Sequence, residues 1–136
     1  MRVLNVNHTL DPVSGGGTAE RTFQLSRFLA RSGVECTVLT TAAGSTRDMG
    51  ADRVNIVTLP LLSERFFVPR VSSQRLHELI NAVDIVHMMG HWSVLNAFVY
   101  RLARRLRKPY VICPAGALPI YGRSTALKGI YNALIG

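Results

Sequence analysis

The sequence predicts an α/β fold: a single Rossmann-like, doubly wound domain with a mainly parallel sheet. Short runs rich in Val, Ile, Leu and Thr alternate with longer segments of helical apolar spacing. Strands alternating with helices imply parallel strands covered on both faces. At 136 residues the chain fits one domain, and it needs no disulfide or metal to bury a core.

The elements follow in order. Residues 2–7 form a first strand, and 8–17 a polar loop. Residues 18–32 read as a helix, with Leu25, Phe28 and Leu29 at helical spacing and Gly33 as its stop. Strands are expected at 34–40 and 54–59, the second ended by Pro60, with a loop over 42–49 between them. Residues 61–69 are less regular. A helix over 71–82 leads to a strand at 84–88. The clearest helix spans 93–107, with Leu95, Phe98, Val99, Leu102 and Leu106 on one face. Arg101, Arg104, Arg105 and Lys108 fall on another. Pro109 opens and Pro114 closes a strand at 110–113, and 125–135 is helical again. Residues 1–136 are one domain, and the ending just past a helix is that of a fragment of something longer.

Composition narrows the class. Hydrophobic residues make up 48% and charged residues 18%, which excludes a disordered chain. The first eight residues turn polar too soon for a signal peptide, and no run of about 18 apolar residues could cross a membrane. Cys36 and Cys113 lie inside apolar runs without C-x-x-C spacing, so both are expected to be buried, reduced packing residues of a cytosolic protein. The net charge of +8 comes mostly from arginine and favours anionic partners.

The loops after the strands carry the chemistry. Gly15, Gly16, Gly17 and Thr18 stand between the first strand and first helix. Glycines admit a close ligand, and a helix start offers N–H groups and a positive dipole end, which together suit a phosphate. No Lys follows, as a P-loop requires. Glu20 stands where a dinucleotide fingerprint has its third glycine, and Leu39-Thr40-Thr41 holds no acid for a ribose, so NAD is not expected.

His87 and His91 lie at the end of the 84–88 strand. Either can act as acid or base, or donate to a substrate oxygen. His87 equally fits a core histidine, and His91 is the better ligand contact. With no third ligand in view, no metal is expected. Pro114 and Gly116 fix a tight loop after the 110–113 strand, suited to a ligand or simply a structural turn. Arg65, Phe66, Phe67 and Arg70 fit insertion at an anionic membrane surface, or packing of the rings into the core.

In this order the residues resemble a known family. Gly15-Gly16-Gly17, the helix after it and Ser32-Gly33-Val34-Glu35-Cys36-Thr37-Val38-Leu39-Thr40 resemble the opening of the family 4 retaining glycosyltransferases. Asp84-Ile85-Val86-His87 with Gly90-His91-Trp92-Ser93 resembles their "D-V-V-H-x-H-G-x-W-S" segment. Lys108-Pro109-Tyr110-Val111 through Leu118 resembles "K-P-Y-V-x-S-P-x-G-M-L". The resemblance implies the N-terminal, acceptor-side domain of a two-domain GT-B enzyme. Its nucleotide-sugar-binding C-terminal domain is absent from this chain, which alone should be inactive. It also implies retention of anomeric configuration, no metal and no cofactor beyond the nucleotide-sugar. Gly16 and Gly17 would face the departing diphosphate. His87 and His91 would lie near the sugar or the acceptor hydroxyl, with Trp92, Pro114 and Gly116 lining the acceptor cleft. Two positions depart from the family: Met89 where a second His is frequent, and Ala115 where His or Arg is frequent.

The expected activity is sugar transfer from a nucleotide-sugar to a glycan or lipid-linked acceptor, as in polysaccharide biosynthesis. The expected place is the cytoplasm, peripheral at the inner face of the membrane, held by the basic helix face and the 65–70 loop. The alternative is a non-catalytic Rossmann-like module for phosphorylated ligands or nucleic acid. Nucleic acid is disfavoured because no recognition motif appears.

Overall fold

The computed structural model describes residues 1–41, 49–63, 67–115 and 125–135. In chain order the elements are β1 (Arg2–Val6), α1 (Pro12–Arg31), β2 (Glu35–Thr41), a 3₁₀ turn (Gly50–Asp52), β3 (Asn55–Leu59), β4 (Leu61–Ser63) and β5 (Val68–Pro69). Then follow α2 (Ser73–Asn81), β6 (Ile85–Met89), α3 (Val94–Arg105), β7 (Tyr110–Cys113) and α4 (Thr125–Ile135). Five parallel strands form the sheet in the order β3-β2-β1-β6-β7, as the alternation predicts. Chain direction across the sheet reverses at β1, so the ends of β1 and β6 border the crevice where such folds bind ligands.

The segment read as irregular is a small antiparallel hairpin, β4 with β5. Ser72 and Ser93 cap α2 and α3, with their hydroxyls 3.1 Å from the Arg75 N–H and 3.4 Å from the Asn96 N–H. Both helices therefore start later than apolar spacing alone suggests.

The two sides of the sheet are built differently. On one side Leu4, Val6, Leu39, Val86 and Met88 pack with Leu76 and Ile80 of α2 and Leu95, Val99 and Ala103 of α3. That stripe runs at i, i+4 along α3, which leaves Phe98 43% exposed instead of in the core. On the other side α1 buries Ala19, Thr22 and Ser26, not Phe28, which is 67% exposed. The sheet explains the rotation. Beneath α1 it presents Asn5 and Asn7, which need polar partners, and small hydroxyl residues supply them at close range.

That polar layer is continuous. Asn5, fully buried, donates from Nδ2 to Ser26 Oγ (2.8 Å) and to Cys36 Sγ (3.4 Å). Ser26 Oγ donates in turn to the Thr22 carbonyl. Asn5 Oδ1 is therefore the atom facing His87 Nδ1 at 3.1 Å, which assigns the proton to that nitrogen. Cys36 is buried and free; Cys113 is free but only half-buried, because β7 is an edge strand.

Charges pin the ends. Asp84 accepts from both the Arg2 backbone N–H (2.7 Å) and the Arg2 guanidinium (2.9 Å), joining β1 to the start of β6. Asp52 holds Arg27 and Arg31 of α1 against the 3₁₀ turn. Lys108 donates to the Asn81 and Val83 carbonyls beyond α2, so it is not on a free basic face.

The His87 layer has a pH signature. Burial, then the Arg21 charge, holds the His87 imidazole below its ordinary 6.5. The unfolded chain thus takes up the proton first as pH falls, and stability is lost from about pH 7 downward through 6.5. Asp52 and Asp84 are held below 3.8, so they titrate outside this window, whereas His8, also lowered by burial, adds to the same loss. Urea midpoints should fall between pH 7.5 and 5, and His87→Gln should flatten that slope. An unchanged slope in the variant would assign the dependence elsewhere.

Candidate functional site

β1 and β6 are register neighbours, with Val6 beside Met88, so the residues just past both strands converge. They border a hollow of about 250 Å³. Asn7 and His8 enter from β1, Thr18 from α1, Met89 to Val94 from the β6–α3 turn, and Pro114 and Ala115 from beyond β7. Phe67 closes it from the hairpin.

Asn7 is buried to 1% exposure. Its Nδ2 donates to the Thr18 carbonyl (3.1 Å) and to Thr22 Oγ1 (2.9 Å), while Thr22 Oγ1 donates to that same carbonyl. The amide orientation is thereby fixed, and Oδ1 has no partner. An unmet buried acceptor costs about 1–3 kcal/mol, which a ligand hydroxyl can recover. The His8 ring lies 5.3 Å from that of Phe67, and burial holds its imidazole below 6.5, hence neutral at pH 7. His91 Nε2 is 3.2 Å from Asn132 Oδ1, with its ring edge-on to Trp92 at 4.6 Å and to Tyr131 at 5.6 Å. Gly90, at φ 81°, makes the turn that presents His91.

Beside the hollow, the glycine loop is more ordered than the sequence suggests. Asp11 caps a short first turn, accepting from the N–H groups of Val13 and Ser14, with Pro12 opening the helix. The helix breaks at Gly16 (φ 50°, ψ −137°) and restarts at Gly17. A restarted helix presents a fresh N-terminal turn, whose N–H groups have no helical acceptor and whose dipole end is positive. That turn includes Thr18, which also borders the hollow. The Asp11-Pro12 pair was the sequence signal for the extra turn.

The other expected site residues are dispersed. His87 sits in the α1 interface against Asn5 and is not in the wall of the hollow. Phe67, expected at a membrane surface, lies on His8 and is 38% exposed. Arg70 is exposed, its N–H bonded to the Pro60 carbonyl at 2.7 Å. Arg65, Phe66 and Gly116 lie outside the described residues. Met89, 1% exposed, fills the place of the family's frequent second His with an apolar surface. Asn7 and His8 carry no motif of their own. Their position at the end of the central strand is the signal that could have found them.

Among the described lining residues none is acidic or basic, histidine aside. The hollow therefore offers neutral hydrogen-bonding groups and aromatic edges, which suit a hydroxyl-rich neutral ring. Among the described residues no group of three His, Cys, Asp or Glu side chains could hold a metal ion.

The glycines differ in what they tolerate. A Cβ at Gly15 would lie 2.7 Å from Ala19 Cβ and 2.8 Å from Thr9 Cγ2, whereas one at Gly17 meets nothing within 4 Å. Gly16 has space but a positive φ. Gly16→Ala should cost about 1–3 kcal/mol in urea unfolding. Gly17→Ala should stay within about 0.5 kcal/mol of the parent. Equal losses would contradict the break at Gly16.

No curated protein and no solved structure gives a significant match to the chain. The model of the glycosyl transferase 4-like domain matches residues 16–135, from the break in α1 through α4, and takes in the strand-end site apart from Asn7 and His8. With that span matched, the chain belongs to the glycosyl transferase 4-like domain family.

Proposed function

We propose that the chain forms the acceptor-side half of a cleft in which a sugar passes from a nucleotide-sugar to a glycan or lipid-linked acceptor. The observation that carries this reading is the pairing of two unlike surfaces: the restarted helix N-terminus at Gly17 and the neutral, aromatic hollow beside it. The first suits a diphosphate held by a C-terminal domain, and the second suits a sugar ring and its hydroxyls. As the anomeric C–O bond to the diphosphate breaks, negative charge grows on the leaving oxygen. Gly17 and Thr18, past the break at Gly16, would meet that charge with N–H groups already in place, the Gly15 N–H being held by the Asp11 carbonyl at 2.8 Å. The acceptor oxygen bonds to the anomeric carbon, and its proton passes to the departing diphosphate oxygen. His91 lines this space with His8, next to Trp92 and Pro114. His87 would act on it only by holding Asn5 and β1. Retention of configuration and independence of metal belong to this proposal through the family resemblance.

Two measurements test it. Pyrophosphate added to the chain should shift the amide resonances of Gly17 and Thr18 and leave β3 unmoved. No shift at either residue would remove the diphosphate role. In the full-length protein, His91→Ala should lower kcat by about 10²-fold or more with the fold retained by circular dichroism. Undiminished transfer would overturn the role of His91.

Membrane attachment is part of the same proposal. Phe98, Arg101 and Arg105 of α3 border a second hollow of about 400 Å³ beside the start of α2, and all three are exposed. No described helix is long and apolar enough to cross a membrane, so this face would lie on an anionic surface, at about 1 kcal/mol per basic residue. Binding to anionic vesicles should weaken with salt and drop in Arg101→Gln/Arg105→Gln. Equal binding to neutral vesicles would overturn it.

A further inference from the structure

A third hollow, of about 210 Å³, lies between β7, α3 and α4. Its walls are apolar and aromatic. Met88 and Ile112 come from adjacent strands, and Tyr100, Tyr110 and Tyr131 from three separate elements. The rings of Tyr100 and Tyr110 meet edge-on at 5.4 Å. The Tyr131 hydroxyl is already used, donating to the Ser93 carbonyl at 3.2 Å.

One polar group in this wall is unmet. Asn96 is 4% exposed, and its Nδ2 donates to the carbonyls of Met89 (2.9 Å) and Gly90 (3.0 Å). Exchanging oxygen for nitrogen would set an acceptor against two acceptors, so the orientation is fixed. Oδ1 is left buried without a donor. A packing role for Asn96 accounts for its nitrogen and leaves its oxygen unexplained.

We propose that this hollow binds an apolar ring bearing one hydroxyl, with the ring among the tyrosines and the hydroxyl donating to Asn96 Oδ1. Size supports a ring. An apolar cavity of about 150 Å³ is enough for benzene. The observed 210 Å³ admits a ring with one or two small substituents. The chemistry supports a donor at this point, because among the described residues of the wall Asn96 Oδ1 is the buried acceptor left unmet. The hollow shares Gly90 and His91 with the strand-end site. Resting on the function proposed above, the occupant is the apolar aglycone end of the acceptor, its remaining polar part reaching past His91.

Phenol and anisole test the site directly on the unmodified chain, since they differ in the donor hydroxyl. Phenol should shift the methyl resonances of Met88 and Ile112 saturably, and bind about tenfold tighter than anisole. Ile112→Trp, at a position 36% exposed, should fill the hollow, keep the thermal midpoint and abolish the phenol shifts. Equal binding of the two probes, or phenol binding that survives Ile112→Trp, would overturn the site. Neither result depends on pyrophosphate binding or on sugar transfer. Phenol binding while aryl alcohols fail as acceptors of the full-length enzyme would overturn the aglycone role alone.

Discussion

The carboxamide of Asn5 sets the distance on which the site depends. It lies in the central strand, beside Val38 on one side and His87 on the other. Its two N–H bonds reach Ser26 and Cys36, and its oxygen holds His87. Buried polar groups are costly unless fully met, and a fully met network admits few alternatives. α1 is thereby drawn close, which only small residues such as Ala19 permit. The height of α1 above the sheet in turn fixes where its N-terminal turn and Thr18 stand. Asn7, which borders the hollow, repeats the arrangement two residues on, but among the described residues its buried oxygen finds no donor.

The basic excess does two kinds of work. Arg2, Arg27, Arg31 and Lys108 are spent within the fold, on carboxylates or on carbonyls at and just past the end of α2. Exposed pairs such as Arg2 with Asp84 contribute register more than energy. Arg101 and Arg105 remain outward, so the anionic partner that the net charge suggests has a specific face to meet. The charge of the whole chain overstates the charge on offer.

Much of this was legible in the residues, and the rest was hidden for physical reasons. The parallel sheet follows from apolar runs alternating with helical spacing, and the strand ends follow from the prolines and glycines. Periodicity groups Phe28 with Leu25 and Leu29, and Phe98 with Leu95 and Val99, because it marks which residues are apolar, not which line of them meets the sheet. The polar layer beneath α1 turns that helix, and neither Asn5 nor Ser26 is apolar. The β4–β5 hairpin escaped because its strands are three and two residues long. Position in the strand and in the loop after it already separates His87 from His91 in sequence. Strand alternation sends one to α1 and the turn at Gly90 sends the other to the hollow. The unmet oxygens of Asn7 and Asn96 exist only once their nitrogens are spent in the fold.

The break at Gly16 divides the glycine loop into parts with separate duties. Gly15 is bound by packing and Gly16 by its backbone angle, while Gly17 answers to neither. Of the three, the residue proposed above to touch a ligand is the one the fold leaves unconstrained. Ligand preference can therefore drift at this position over evolutionary time while the scaffold stays intact. A single domain built this way could meet a changed ligand without being redesigned.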